Sequence, residues 1–476
     1  MSPTVPDCPS CRTLQAQLDA QAEVLAALRR EVAELRSRLD RDSSNSSKPP
    51  ASGHPHARPR PLVRPDRTTR RQRGGQPGHP GTTRNLLPVA EVSQVIRCQP
   101  TVCGQCTAPF SPEAPSPAPA AIREQVWELP PLTWEITEYQ RHARTCAACG
   151  ARTWGCRPPE APEGCLGFRA QAALGLFTGG VQLSRRSALT LAQELLGLPL
   201  SLGTLSRVEA TLTAALAAPY AEVAAAVAAA PVVYCDESPW REPGEKPWLW
   251  TATTPAASLF RIATARDTAA FRELLPENPE QIKVTDRYAV YVHALEEREH
   301  GVCWAHLDRD FCYWSTQLGA AGAVGQWLAA ETERLFAQWQ AFRNGELDRA
   351  ALAARLAPVR AAVQAALRWG AAQRLPKFSA FCQNLLDREE TLWTFVRMEG
   401  VEPTNNAAER AVRPGVLWRK TSLFTQSERG REYVAHLLTV RTTLRKHGGH
   451  LLEFLTEALR CQRTGASPPR LLPAGT

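Results

Sequence analysis

The chain has 476 residues, 56 Lys+Arg against 47 Asp+Glu, a net charge of +9, 43% apolar residues, 14 Cys and 39 Pro. That length exceeds one ordinary domain and that apolar fraction excludes a wholly disordered chain, so several folded modules are expected. The first residues show neither a basic n-region nor an apolar h-region, and the Ala-rich stretch 211–235 is broken by Pro219, Glu222 and Pro231. Neither a secretory signal nor a membrane span is therefore expected, and the chain reads as cytoplasmic, beside the nucleoid if it binds DNA.

The first predicted element is a coiled coil within 1–40. Leu18, Leu25, Val32 and Leu39 occupy a positions and Leu14, Gln21, Leu28 and Leu35 occupy d positions, so seven of eight seam positions are apolar. Charged flanks and an apolar seam predict self-association as a homodimer or higher oligomer. A basic Pro/Arg-rich linker arm follows over 41–90. Within 41–85, ten Lys/Arg face two Asp, giving +8, with eight prolines and almost nothing apolar to bury. Such a segment does not fold alone, and its cations, Arg70, Arg71 and Arg73 among them, suit the phosphates of DNA. Because eight of the nine units of net charge lie there, the remaining chain is nearly neutral.

Residues 91–165 are expected to bind metal. Cys103-x2-Cys106 and Cys146-x2-Cys149 supply four thiols at the spacing of a structural Zn²⁺ site, with Trp127–Tyr139 read as strand between the knuckles. Cys8-x2-Cys11 is half a site, complete only with a second chain. Residues 166–230 read as a helical domain, possibly of helix-turn-helix type: a helix over Leu189–Gly197, a turn, and a helix from Ser201 to Leu212 capped by Ser201.

From 231 the pattern turns to strands. Pro231–Asp236, Trp248–Thr254 and Leu259–Thr264 read as three strands, Thr268–Leu275 as a helix, Ile282–Asp286 as a fourth strand and Val302–His306 as a fifth leading into a helix. This is the element order of an α/β ribonuclease-H-like core, here 231–319, in which the first and fourth strands are neighbours and Asp236 lies beside Asp286. Glu237 falls on the opposite face from Asp236. Residues 320–395 read as a helical insertion, 396–446 as the last part of the core with an acidic helix, and 447–476 as a C-terminal helix and tail. Glu409 on that acidic helix is the candidate third acid, with Asn405 or Asn406 as helix cap and Arg410, Arg413, Arg419 and Lys420 making its surroundings basic. Paired carboxylates of this kind hold two divalent cations, Mg²⁺ or Mn²⁺, for phosphodiester displacement. His306 is a candidate support residue, while Asp308 and Asp310 read as solvated or paired with Arg309.

The motifs together give a specific likeness. Asp-Ser-Ser-Asn-Ser-Ser-Lys-Pro-Pro (42–50), Gly-Gly-Gln-Pro-Gly-His-Pro-Gly (74–81), the two CxxC knuckles, Cys-Asp-Glu-Ser (235–238), Val-Thr-Asp-Arg-Tyr-Ala-Val-Tyr (284–291), Cys-Trp-Ala-His (303–306) and Asn-Asn-Ala-Ala-Glu-Arg-Ala-Val-Arg-Pro (405–414) follow one another in family order. The chain resembles the DDE-type transposases of the insertion sequence 66 family. The resemblance implies an acidic triad of Asp236, Asp286 and Glu409, Mg²⁺-dependent cleavage at element ends and joining of 3′ ends to target DNA. Its partners would be terminal inverted repeats, target DNA and companion proteins of the same element. The alternative is a catalytically inactive descendant acting as a DNA-binding regulator. Two departures stand out: Arg287 follows the second Asp where the family usually has Gly, and Asp308-Arg309-Asp310 replaces the basic pair usual after Cys-Trp-Ala-His.

Overall fold

The computed structural model describes residues 13, 15–25, 28, 31–32, 85–110, 122–422 and 425–473. Arg70, Arg71, Arg73, Cys8 and Cys11 lie outside the described residues. The chain divides into two compact units, one of Val63–Ile136 and one of Met1–Leu62 with Thr137–Thr476.

In the smaller unit, Gln125 clamps Leu87 reciprocally. The Leu87 amide donates to Gln125 Oε1 (2.9 Å), and Gln125 Nε2 donates to the Leu87 carbonyl (3.0 Å). The strand expected over Trp127–Tyr139 is absent, and those residues carry no regular structure. No strand pairs with them among the described residues, and several apolar side chains stay exposed: Leu129 is 64% and Ile136 89% exposed.

In the larger unit, a hairpin of β1 (Ala143–Thr145) and β2 (Arg152–Trp154) precedes four helices: α1 (Phe168–Gly175), α2 (Arg185–Leu196), α3 (Leu202–Ala215) and α4 (Ala217–Ala229). The turn between α2 and α3 has local causes. Gly197 stops α2 in the left-handed region at φ 63°, and the Ser201 hydroxyl accepts the Thr204 amide at the start of α3. Leu205, Val208 and Leu212 bury one face of α3 in the core, while Arg207 on the same helix is exposed.

The mixed sheet comprises β3 (Val232–Pro239), β4 (Trp248–Thr253), β5 (Ser258–Ala263), β6 (Ile282–Thr285) and β7 (His300–Val302), in the order β5-β4-β3-β6-β7. The first three pair antiparallel and β3-β6-β7 pair parallel, as the element order predicts. Helix α5 (Thr268–Leu274), capped by Asp267, and α6 (Ala289–Ala294) flank β6 in sequence. The fifth strand sits earlier than expected. β7 ends at Val302, and the Cys303 amide makes a ladder bond to the Thr285 carbonyl (2.9 Å). The Cys303 carbonyl then accepts from the helix that follows, so Trp304 and His306 belong to α7 (Trp304–Ser315).

The helical insertion consists of α8 (Ala320–Arg343), α9 (Arg349–Ala371), α10 (Pro376–Asp387) and the short α11 (Glu389–Leu392) and α12 (Thr394–Arg397). It shares an apolar core with β6 and α7, centred on Trp304, Phe311, Leu328, Leu356 and Phe378. Among the described residues α9 is long and apolar enough to cross a membrane, but its Leu352, Leu356, Val363 and Leu367 are buried in this core. A second core joins α1–α4, the other sheet residues, α14 (Glu428–Lys446) and α15 (Leu451–Thr464). Helix α14 also covers the sheet edge. Thr443 and Thr439 accept the amides of Ser258 and Phe260 on β5 (each 3.1 Å), satisfying donors that would otherwise invite another strand.

Candidate active site

On β3 and β6, Val232, Val233 and Tyr234 stand opposite Ile282, Lys283 and Val284. Two more residues of that register bring Asp236 level with Asp286, 50 positions later in the chain. Helix α13 (Asn406–Ser422) brings the third acid, Glu409, to them. Asn405 fixes the start of that helix. Its carbonyl accepts the Glu409 amide (3.1 Å), so it stands at the capping position. Its side chain does not cap, however: Nδ2 donates to the Cys235 carbonyl (2.6 Å), and its amide meets Cys303 Sγ (3.1 Å). Asn405 is buried and therefore ties α13 to the residue just before Asp236 and to the start of α7.

The three acids act on one another electrostatically. The Asp236 carboxyl is held well above its ordinary range, first by burial and then by the negative charges of Glu237, Asp286 and Glu409. Each acid is engaged through one oxygen. Asp236 Oδ1 accepts the Glu237 amide (2.9 Å), Asp286 Oδ1 accepts the Tyr288 amide (2.8 Å), and Glu409 Oε1 faces Arg309 Nη2 (3.4 Å). Among the described residues no three His, Cys, Asp or Glu side chains already stand close enough to share an ion.

These positions fall inside residues 165–433, which match the family model described as "Transposase IS66 family". The chain belongs to the IS66 transposase family. Residues 2–85 match a second model, a family of unknown function designated DUF6444. A curated relative, the uncharacterized protein y4qI of Sinorhizobium fredii, is 28% identical over 268 residues, 48% of this chain and 47% of that protein. The match thus spans about half the length of that relative.

Within this IS66 transposase core, the two departures from the family pattern meet in space. Arg287 Nη2 pairs with Asp310 Oδ2 at 2.6 Å, both side chains being about three-quarters covered or more (25% and 20% exposed). Asp310 is therefore not paired with Arg309, which turns instead to Glu409. His306 Nε2 lies 3.6 Å from Glu409 Oε1, and burial holds its imidazole below the ordinary range.

One network at this site has no signature in sequence. Glu237 lies on the far face of β3, as expected, but it is buried. It accepts from Arg266 Nε (3.0 Å) and Nη2 and from the Tyr291 hydroxyl. Arg266 is itself sandwiched between aromatic rings, its guanidinium carbon 4.2 Å from the Trp248 centroid and 3.4 Å from that of Tyr288. It thereby braces both acid-bearing segments, since Glu237 follows Asp236 and Tyr288 lies two residues beyond Asp286. Arg266 sits after β5 in no motif, and only the sheet order brings it here.

The basic residues of α13 have separate placements. Arg419 clasps β3, donating to Ser238 Oγ (3.0 Å) and to the Pro239 carbonyl, and burial lowers its pKa. Arg413 and Lys420 are exposed, Arg410 lines a cleft described below, and Asn406 begins the helix.

The cysteine knuckles fall in different units but share one backbone design. The amide of Cys103 donates to Ala108 and its carbonyl accepts from Thr107, which has φ 57°. The amide of Cys146 likewise donates to Ala151 and its carbonyl accepts from Gly150, at φ 71°. In each turn the amides of the second cysteine and of the residue before it point at the first sulfur, lowering the pKa of Cys103 and of Cys146. A turn that stabilises thiolate favours metal ligation.

Proposed function

We propose that this protein is a DNA transposase that cleaves the ends of its insertion sequence and joins the freed 3′ ends to target DNA in a Mg²⁺-dependent reaction. What supports this reading is that Asp236 lies on β3, Asp286 directly follows the parallel neighbour β6, and Glu409 on α13 acts electrostatically on Asp236, as Asp286 does. The donor set suits divalent cations in its chemistry: the three acids are hard oxygen donors, and the negative charges of Asp286 and Glu409 add to burial in raising the proton affinity of Asp236, a repulsion that a bound cation would relieve. Asp236, Asp286 and Glu409 would hold Mg²⁺ or Mn²⁺, whose charge stabilises the attacking and leaving oxygens of phosphodiester displacement. Arg309 partly offsets the charge of Glu409, while Asn405 and Arg266 would keep the acids in register. Arg410, Arg413 and Lys420 position the DNA backbone.

The outlying modules serve the same task. Cys103, Cys106, Cys146 and Cys149 would hold structural Zn²⁺ in a domain over 91–165, a reading supported by the matched turns of the two knuckles. In the 1–40 module, residues 15–25 are helical, and the seam residues Leu18, Leu25, Leu28 and Val32 are about half exposed, which supports self-association through a coiled coil. The arm over 41–90 would contact DNA phosphates, and the α2–α3 pair would read bases.

The test is a strand-transfer assay with pre-nicked element ends and supercoiled target plasmid. The wild-type chain is expected to join 3′ ends covalently to the target with Mg²⁺. A protein that cleaves but never joins is a nuclease and contradicts the proposal.

A further inference from the structure

A cleft of about 460 Å³ opens beside the acids, between α13, the C-terminal end of α14 and the turn joining β4 to β5. Four cationic side chains line it, Arg410, Arg441, Arg445 and Lys446, against a single carboxylate, Glu402. No ion pair engages any of the four among the described residues. The Lys446 ammonium donates to Thr253 Oγ1 (2.8 Å) and to the carbonyls of Thr254 and Ala257, and burial brings its pKa down to about 8. Burial and then the charge of Arg445 lower the pKa of Arg441, whose Nη1 is buried with no acceptor.

Cations gathered without counter-charges repel one another and raise the local potential, and a polyanion relieves that repulsion. The cleft is also well placed for one. Tyr234 on its wall and Asp236 share a face of β3, two residues apart, which is about 7 Å along a strand. Arg410 follows Glu409 directly on α13. A DNA strand whose scissile phosphate sits at the acids therefore passes its flanking backbone over the cleft.

We propose that this cleft is a second anion site, which holds the DNA backbone a short way from the scissile phosphate, with Arg441 and Arg445 as its phosphate-binding pair. The proposal rests on the transposase reading for its ligand, but its test reads binding and not cleavage. The two therefore fail separately: a chain that binds through the cleft and never nicks contradicts only the transposase reading.

The experiment uses the full chain and fluorescence anisotropy with a duplex of about 30 base pairs of arbitrary sequence over a salt titration. Arg441→Gln/Arg445→Gln is expected to weaken binding about tenfold near 0.1 M salt and to reduce the slope of log K against log salt by about one to two. Arg441→Lys/Arg445→Lys, which keeps the charge, is expected to retain the slope. If the glutamine pair does not fold, Arg445→Gln alone, at an exposed position, is expected to reduce the slope by about one. Unchanged affinity and slope in the folded variants overturn the proposal. So does a small-anion site: inorganic phosphate or dAMP raising the melting temperature of wild type and not of the variant, while duplex binding is the same in both.

Discussion

Asn405 makes the sharpest separable prediction, because its role in aligning the acids exceeds its role in stability. Asn405→Ala deletes the buried hydrogen bond from Nδ2 to the Cys235 carbonyl (2.6 Å), a loss of about 1–3 kcal/mol. It also removes Oδ1, which is buried with no partner and already costs a comparable amount. The two effects oppose, so the net loss is expected to be no more than about 1 kcal/mol, at most about 2–4 °C in melting temperature. Nicking should fall much further, by about tenfold to a hundredfold, because α13 loses its tie to β3 and Glu409 its register with Asp236. Asn405→Asp keeps the shape but replaces the donor with a carboxylate facing a carbonyl, and is expected to cost about 3 kcal/mol or more. The assays are thermal melting and Mg²⁺-dependent plasmid nicking, with DNA binding as control. Wild-type nicking in Asn405→Ala, or equal stability of the Ala and Asp variants, would refute the reasoning.

Three further outcomes follow from particular contacts. His300 is buried, with Nε2 2.8 Å from Thr285 Oγ1, and burial together with the Arg388 charge brings its pKa down to about 3 from an ordinary 6.5. The unfolded chain therefore binds the extra proton first, and stability should fall as pH drops from about 6.5 toward 3, by at most about 1.4 kcal/mol per pH unit, with His300→Gln flattening the profile. A double-mutant cycle on Arg287 and Asp310 should give a coupling of about 1–2 kcal/mol, with the swap Arg287→Asp/Asp310→Arg recovering part of what either single change loses; additive effects would deny the pairing. Metal analysis of the purified chain should find about one Zn²⁺ per chain, lost in Cys103→Ser and in Cys146→Ser, whereas a zinc-free folded chain would remove that ligand set.

Much of the unit that carries the candidate site is legible because its signals are local. The apolar run Val232–Cys235 and the β-branched alternation Ile282-Lys-Val-Thr285, each followed by an Asp, mark strands, and the order of strands and helices implies that β3 and β6 are neighbours. Ser201 and Gly197 mark helix ends through the same short-range chemistry. What escaped depends on distant pairs. The fifth strand was misplaced because Val302-Cys303-Trp304 is apolar in either state, and only its bonds to Thr285 and Pro403 show where the ladder stops. Trp127–Tyr139 has the composition of a strand, but no strand pairs with it among the described residues. The bond between Arg287 and Asp310, the Arg266 sandwich and the meeting of Arg410 with the α14 cations in the cleft join residues 18 or more positions apart, so no spacing rule reveals them.

The central claim is that Asp236, Asp286 and Glu409 form one metal-dependent site. The most direct measurement is Mg²⁺-dependent nicking of a plasmid carrying the element ends by Asp236→Asn, Asp286→Asn and Glu409→Gln, each compared with wild type for DNA binding and melting temperature. The account predicts that all three lose nicking while binding DNA and folding as wild type does. Retained nicking in any one of them would contradict it.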